Sequence, residues 1–345
     1  MKNTTTATLA DIARLAGVSI STVSRALQNS PRVKPETIER IKRLADENNF
    51  KLNTTAQKLR TKRTNVIAVV VVMEKDTNQR ISDPFILEML ANISEHLEKN
   101  NYDMLLINSS HGKKIDLKDY LYASHRADGV ILLGQGKNPN DLENLHKVGF
   151  PMVIWGVANS NQQPYCFVSS DNRKGGLIAT NELIKQGCKN ILFLGDFEYS
   201  ELEQRLLGYK DALDINELAF VEDNALLCDL TAEDGYQALQ ARIAKNGIDF
   251  DGIFAASDML AMGCIKALNE AKIAIPEQVA IIGYDDIVLS RYTFPPVSTI
   301  RQNVAEASNK LVNSVMAQIA NKDISSESVG VSLIRRASSE KITSA

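Results

Sequence analysis

Cysteine and histidine are scarce in this sequence, and their spacing argues against a metal or disulfide framework. The chain of 345 residues contains four cysteines and four histidines. No two cysteines form a CxxC pair, and no histidine stands at metal-ligand spacing from a cysteine or another histidine. We therefore expect no structural metal and no cofactor. Thiols that are so far apart in the sequence are typical of reduced cysteines in a cytoplasmic protein.

Long apolar runs are also absent. The longest one, residues 66–73, suits a β-strand and is much shorter than the roughly 18 residues of a membrane-spanning helix. The first seventeen residues contain no apolar segment of the kind found in a secretory signal, so we expect a cytoplasmic protein with no membrane partner.

The charges of the chain are divided unevenly along its length. The whole chain has 39 Lys and Arg against 42 Asp and Glu, which gives a formal net charge of −3. Residues 1–63 hold thirteen of the basic and five of the acidic side chains, so residues 64–345 hold 26 basic and 37 acidic ones. We expect the basic segment alone to meet a polyanion such as DNA.

The first 52 residues have the pattern of three short helices. Thr8 is suited to cap the first helix, Gly17 to end it, and Ser19 to cap the second. A proline at its first position marks the third helix, over residues 35–48.

The spacing of small and apolar residues in the first two helices predicts a helix-turn-helix. Two helices that cross closely need a small residue such as Ala13, a glycine at the turn, and an apolar residue such as Val23 facing back. The outer face of the second helix then carries short hydroxyls that suit phosphate contacts, and longer polar groups that can reach base edges. These residues are Ile20, Ser21, Thr22, Ser24, Arg25 and Gln28. The alternative is a small helical domain with a solvated polar face.

Residues 53–63 form a short basic segment that is too short to sustain a helix alone. Leu59 lies between Lys58 and Arg60, as an apolar wedge for the DNA minor groove would require. The other reading of these residues is a plain basic linker.

From residue 66 onward, strand-like and helix-like segments alternate. This alternation predicts an α/β fold whose parallel sheets are covered by helices on both faces. Ligands of such sheets bind at the carboxyl ends of the strands.

Ordered motifs along almost the whole chain resemble the LacI/GalR (lactose-repressor/galactose-repressor) family of bacterial transcription factors. The matching segments are Leu9-Ala-Asp-Ile-Ala13, Ala16-Gly-Val-Ser19, Thr22-Val-Ser-Arg25, Ala56-Gln-Lys-Leu-Arg60, Ser170-Asp-Asn172, Arg205-Leu-Leu-Gly-Tyr209, Ala255-Ala-Ser-Asp258, Gly283-Tyr-Asp-Asp286, Pro295-Pro-Val-Ser-Thr-Ile-Arg-Gln302 and Arg336-Ala-Ser338. The resemblance implies a homodimer whose hinge helices sit at the centre of a palindromic operator. It also implies DNA contacts in the hinge from Asn53, Ala56, Lys58, Leu59 and Arg60.

The same resemblance implies that the chain is divided into three parts. These are a helix-turn-helix domain at 1–52, a hinge helix at 53–63 and an effector-binding and dimerisation domain at 64–345. The last part resembles periplasmic sugar-binding proteins, with two Rossmann-like lobes around a cleft. We place the N-lobe at about 64–168 plus 299–328 and the C-lobe at about 169–298 plus 329–345.

The family pattern places Arg205 and Asp285 in the effector pocket. Rings at Trp155 and Phe85 are candidates to cover the apolar face of a sugar, although ordinary core packing is equally open for both. Three further candidates follow from their positions after strands or on the same helix face as the arginine. They are Glu201, Ser257 and Met73. We expect Asp258 to cap its helix rather than touch ligand.

One departure limits what the family implies about the effector. The lactose repressor has an aspartate where this chain has Gly156. The segments around Asp83, Gly134 and Trp155 are more similar to the branch that senses glucosides and related oligosaccharides.

The resemblance thus implies a repressor of carbohydrate-utilisation genes that a small sugar releases from its operator. The alternative is a repressor of the same family that needs a purine or another small-molecule corepressor. An enzyme is disfavoured, because Gly134-Gln-Gly136 is followed by Pro139 and cannot complete a dinucleotide-binding turn. A secreted sugar-binding protein would not carry the helix-turn-helix.

Overall fold

A computed structural model describes residues 7–27, 30–48, 50, 63–73, 77–109, 116–135, 140–158 and 164–340. The chain divides into two compact units, Met1–Arg63 and Thr64–Ala345, which we call the head and the body.

Three helices make up the described part of the head. They are α1 (Leu9–Ala16), α2 (Ile20–Leu27) and α3 (Pro35–Glu47). Thr8 and Asp11 form a capping box at the start of α1, and Gly17 ends it with a left-handed φ of 62°. Ser19 Oγ accepts from the backbone N–H of Thr22, 3.1 Å away, at the start of α2. The crossing of α1 and α2 is therefore fixed by local caps and one glycine turn.

A small apolar core joins the three helices. Ile12, Val23 and Ile41 are fully buried at its centre, one from each helix. Arg40 Nη2 donates to the carbonyl of Ala16 over 2.8 Å, which ties α3 to the end of α1. This core leaves the outer face of α2 in solvent.

The body alternates strands and helices in chain order. The first stretch contains β1 (Val66–Val71), α4 (Pro84–Lys99), β2 (Asp103–Asn108), a helical turn (Lys118–Ala123), β3 (Gly129–Leu133), α5 (Asn140–Lys147), β4 (Met152–Trp155) and β5 (Cys166–Ser170). The second contains α6 (Asn172–Lys185), β6 (Ile191–Leu194), α7 (Ser200–Ile215), β7 (Ala225–Leu226), α8 (Ala232–Asn246), β8 (Gly252–Ala255), α9 (Asp258–Glu270), β9 (Ala280–Asp285) and β10 (Ser298–Gln302). The last contains α10 (Val304–Ile319), β11 (Glu327–Val329) and β12 (Val331–Ile334).

These strands form two six-stranded sheets. The N-lobe sheet has the order β11-β5-β4-β3-β1-β2, and all its neighbours are parallel. The C-lobe sheet has the order β12-β10-β9-β8-β6-β7, and only β12 runs antiparallel to its neighbour. The predicted α/β class with parallel sheets is confirmed.

The ends of β5, β10 and β11 place the passages of the chain between the lobes at Asp171, Asn303 and Gly330. The second passage differs from the prediction near Ser298, because β10 pairs with β9 and β12 and so belongs to the C-lobe sheet through Gln302. The residues of a short strand can be recognised in the sequence, but they do not show which of the two sheets the strand joins.

Candidate functional site

The outer face of α2 is accessible, as DNA reading requires. Ser19, Ile20, Ser21 and Arg25 are exposed. Thr22 and Ser24 are half-buried on the same helix, and Thr8 is exposed at the start of α1. Short hydroxyls and one guanidinium therefore lie on the side of α2 that faces away from the head core. This set can contact phosphates and base edges without disturbing that core.

Six predicted DNA-contacting residues lie outside the described residues. They are Gln28, Asn53, Ala56, Lys58, Leu59 and Arg60.

A cavity of about 610 Å³ lies between the two lobes of the body. Its walls include the carboxyl ends of β1, β3, β4 and β9 and the starts of α4 and α7. The predicted residues that line it are Phe85, Trp155, Glu201, Arg205, Ser257 and Asp285. These six predicted residues are up to 200 positions apart in the sequence, a span that runs from Phe85 to Asp285.

Arg205 is held in place by neighbours from three segments of the C-lobe. Its Nε donates to Asn172 Oδ1 over 2.9 Å, and its Nη1 donates to the carbonyl of Ala256. The guanidinium carbon lies 3.6 Å from the centre of the buried Tyr284 ring. A Cβ on Gly176 would come within 2.1 Å of the Arg205 carbonyl oxygen, so this glycine permits the close approach of α6 and α7. Arg205 is therefore a fixed donor at the cavity wall.

Asp285 and its neighbour in the sequence have different surroundings. Asp285 accepts from Gln302 Nε2 over 2.6 Å and lines the cavity. Burial raises the pKa of Asp285 to about 7, although the nearby Arg205 opposes this shift. Asp286 instead lies among arginines: Arg301 Nε is 2.7 Å away, and Arg336 also donates to it. Only the first of the two aspartates is placed to meet a ligand.

Two aromatic rings cover one side of the cavity. Phe85 and Trp155 have ring centres 6.3 Å apart and are tilted by 39°. Phe85 is positioned by Asp83, whose Oδ1 accepts from the backbone N–H groups of Phe85 and Ile86 at the start of α4. Trp155 ends β4 in the N-lobe. This pair provides an apolar surface opposite the polar groups of the C-lobe.

Glu201 lies in the first turn of α7 in the C-lobe and reaches the N-lobe. Its carboxylate accepts a hydrogen bond from the backbone of Val157, and burial raises the pKa of Glu201. A Cβ on Gly156 would come within 2.7 Å of Glu201 Oε1. The missing side chain at 156 therefore leaves the room that the Glu201 carboxylate fills.

Two expectations are wrong. Met73 packs in the N-lobe core with 8% exposure and is not among the described residues that line the cavity. Ser257, not Asp258, caps α9, since Ser257 Oγ accepts from the N–H of Leu260 over 3.2 Å. Asp258 is fully buried and accepts from the N–H of Ile287 over 2.9 Å.

Sequence reasoning missed several polar residues of the lining. Gln79, Gln135, Asp196, Glu198, Asp229 and Gln302 all contribute. Most of them lie in loops after strands, the signal that could have identified them. Gln302 lies at the end of β10 instead, and only the sheet order shows that it reaches Asp285.

Polar contacts join the lobes across the mouth of the cavity. The backbone N–H of Asn78 donates to Asp229 Oδ2 over 2.7 Å, and its side chain donates to Asp234 Oδ1 over 3.0 Å. These bonds link an N-lobe loop to the C-lobe. Together with Glu201, they hold the lobes together around the cavity.

The described residues contain no group of three or more His, Cys, Asp or Glu side chains arranged to hold a metal ion. The four cysteines are free thiols. In the same part of the chain, no helix is long and apolar enough to cross a membrane.

Two family models match the chain. Residues 8–53 match the bacterial regulatory proteins of the lacI family, and residues 180–339 match a periplasmic binding protein-like domain. The first match covers the three helices of the head, and the second covers most of the C-lobe and α10.

Relatives with different stated functions match over almost the full length. The ribose operon repressor of Haemophilus influenzae is 30% identical over 320 residues, or 91% of this chain and 92% of that protein. The repressor PurR of Haemophilus influenzae is 28% identical, with 92% of each chain covered. The structure of a transcriptional regulator CelR–cellobiose complex has a TM-score of 0.73 and 26% identity, and the match covers 96% of this chain and 99% of that one.

The resemblance that the sequence motifs carry is confirmed by these matches, which span both the head and the body. The ribose operon repressor is 30% identical to this chain over nine-tenths of the chain's length. The chain therefore belongs to the LacI family of bacterial transcriptional repressors and is not an enzyme.

Proposed function

We propose that this repressor senses a small sugar, a glucoside or a related oligosaccharide, and controls carbohydrate-utilisation genes. The observation that carries the proposal is the pairing, in one cavity, of Arg205 and Asp285 with the rings of Phe85 and Trp155. Fixed charged groups bind the hydroxyls of a sugar, and aromatic rings pack on its apolar face. The cavity of about 610 Å³ has room for more than one sugar ring.

The contacts between the lobes suggest how the sugar acts. Glu201 and Asn78 each join one lobe to the other beside the cavity. A ligand that prefers one arrangement of the lobes shifts the population toward it, by about 1–3 kcal/mol in typical allosteric proteins. We propose that the arrangement favoured by sugar separates the two hinge segments of a homodimer and releases the operator.

The proposed homodimer reads a palindrome, with one α2 helix in each half-site. The C-lobe carries a surface that suits self-association: Tyr292 is 81% exposed and Phe294 is 88% exposed, with Val288 and Leu289 beside them. Adjacent apolar side chains with this exposure are typical of a protein interface. We propose that this surface joins the two copies.

A ligand screen tests the sensing proposal. Ribose, glucose, cellobiose and related glucosides would be compared with hypoxanthine and guanine by thermal shift, since a ligand that binds only the folded state raises the melting temperature. We expect a glucoside to stabilise the protein. A shift with the purines alone would favour the corepressor alternative, for which the 28% identity to PurR is the supporting observation.

The direction of the response has a separate test. Operator fragments selected from a random library would be used in gel-shift titrations with and without the stabilising sugar. We expect sugar to weaken operator binding. Tighter binding in the presence of sugar would contradict the proposed release.

A further inference from the structure

The lining of the cavity is rich in acid groups. Among the described residues of the lining, seven carboxyl groups meet a single guanidinium, that of Arg205. The acids are Asp83, Glu143, Asp196, Glu198, Glu201, Asp229 and Asp285. Charges of one sign that line a cleft produce a strong electrostatic potential inside it, because the protein walls have a low dielectric constant. Any ligand inside the cleft is exposed to this potential.

Several of these acids are positioned by uncharged donors. Asp83 accepts from backbone N–H groups, Asp229 accepts from the backbone N–H of Asn78, and Asp285 accepts from the amide of Gln302. Such bonds fix a carboxylate without adding a positive charge beside it. Glu143 differs, because Lys147 Nζ lies 3.3 Å from it near the surface.

The guanidinium of Arg205 already interacts with more than one of these acids. It acts on both Glu201 and Asp285, where it opposes the rise in pKa that burial causes. Burial still raises the pKa of Asp83, Glu201 and Asp285. Burial already makes the charged form of these carboxyl groups less favourable. The negative charge of an anionic ligand in the cavity would repel them and make their charged form less favourable still.

We propose that this cavity excludes anionic ligands and that the effector is a sugar without a phosphate ester or a carboxylate. The proposal rests on the sugar-sensing function above and adds the charge class of the ligand. A carboxylate accepts hydrogen bonds and a sugar hydroxyl donates them, whereas a phosphate dianion offers acceptors alone. The sugar must then come from an uptake or hydrolysis reaction that leaves it unphosphorylated.

Isothermal titration calorimetry on the full chain tests the proposal with matched pairs of ligands. The probes are glucose with glucose 6-phosphate, ribose with ribose 5-phosphate, and cellobiose with cellobiose 6′-phosphate. For each parent sugar that binds, we expect its phosphate ester to bind at least roughly tenfold more weakly. We expect added salt to reduce this difference in affinity, because salt screens the repulsion between the ester and the carboxylates.

Two other outcomes count against it in different ways. An ester that binds as tightly as its parent, or more tightly, overturns the charge inference and leaves the sugar-sensing function intact. Failure of all six compounds to bind overturns the proposed sensing of these sugars, and the inference falls with it.

A pair of variants tests whether the charge of the lining is the cause. Asp229→Asn removes a cavity charge and keeps an oxygen for the N–H of Asn78, so we expect the ratio of ester to parent affinity to rise severalfold. The matched control is Asp223→Asn, because Asp223 is 72% exposed and does not line the cavity. An equal change of the ratio in both variants would overturn the inference.

Discussion

The carboxylate of Glu201 lies where a side chain at residue 156 would otherwise be, since a Cβ on Gly156 would come within 2.7 Å of Glu201 Oε1. Gly156 follows β4 of the N-lobe, and Glu201 lies in the first turn of α7 of the C-lobe. This contact therefore spans the cleft, and the acid of the C-lobe occupies the space that a side chain at residue 156 of the N-lobe would need.

Substituting Gly156 by Asp tests whether Glu201 needs this space. Two carboxylates at this distance repel each other, so Glu201 must move away from the N–H of Val157. We expect sugar affinity to fall by roughly tenfold. The double variant Gly156→Asp with Glu201→Ala should recover part of the affinity in calorimetric titrations. An equal loss of sugar affinity in the single and double variants would show that the role of Glu201 does not depend on the absence of a side chain at residue 156.

Arg205→Lys should give a repressor that holds its operator and no longer responds to sugar. Lysine keeps the charge and loses the planar fork that bonds Asn172 and Ala256. Gel shifts with increasing sugar would measure the response. The control is Arg173→Lys, which alters an arginine at the surface that pairs with Asp211 over 2.6 Å. A normal sugar response in Arg205→Lys would remove this residue from the proposed site.

The raised pKa of Asp285 predicts a pH dependence of stability. Its pKa is about 7 in the folded protein, against about 3.9 for an exposed aspartate. Between these values the folded protein keeps a proton that the unfolded chain has released, so this group's contribution falls as pH rises from about 4 to 7. The slope for one group is about 1.4 kcal/mol per pH unit.

Urea unfolding of wild type and Asp285→Asn at several pH values measures this contribution. We expect wild type to lose stability relative to the variant as pH rises from 5 to about 7, and a constant difference above that. Asp223→Asn serves as the control for the loss of a carboxylate at the protein surface, because Asp223 is 72% exposed. Parallel curves for wild type and Asp285→Asn would contradict the raised pKa.

Arg25→Ala should weaken operator binding and relax its sequence preference. Arg25 is exposed on α2, where an arginine that bonds a base is worth about 1–3 kcal/mol. Binding to the selected operator and to single-base variants of it would be compared. Arg14→Ala is the control, since Arg14 lies on α1 and pairs with Asp11 over 3.0 Å. Equal losses for every DNA sequence would indicate a phosphate contact instead.

Leu59→Ala tests the proposed wedge in the hinge. Loss of an inserted apolar side chain should weaken binding to the operator more than binding to unrelated DNA, because the wedge acts on a bendable central step. Sugar binding, measured by thermal shift, should not change. Unchanged operator affinity would favour the plain basic linker.

The sequence was most informative where function depends on neighbours along the chain. The capping box at Thr8, the turn at Gly17 and the inward Val23 are local features, and the structure has each of them. Arg205 and Asp285 were identified through family motifs, and both line the cavity.

Other residues needed the folded chain. Met73 follows β1 as a loop residue should, and its side chain nevertheless turns into the N-lobe core. Ser257 and Asp258 are both possible helix caps in the sequence, and the burial of Asp258 beneath Ile287 decides between them. Gln302 reaches Asp285 because of the sheet order.

The sequence by itself determined the class of this protein: a basic helix-turn-helix head joined to an acidic α/β body of the LacI family. Helix caps, turns and strand periodicity are set by residues a few positions apart, so they can be recognised along the chain. The tertiary structure decided the cavity, with its excess of acids and the contact of Glu201 with Gly156. Those features depend on which side chains two lobes bring together from distant segments, and no local pattern encodes that.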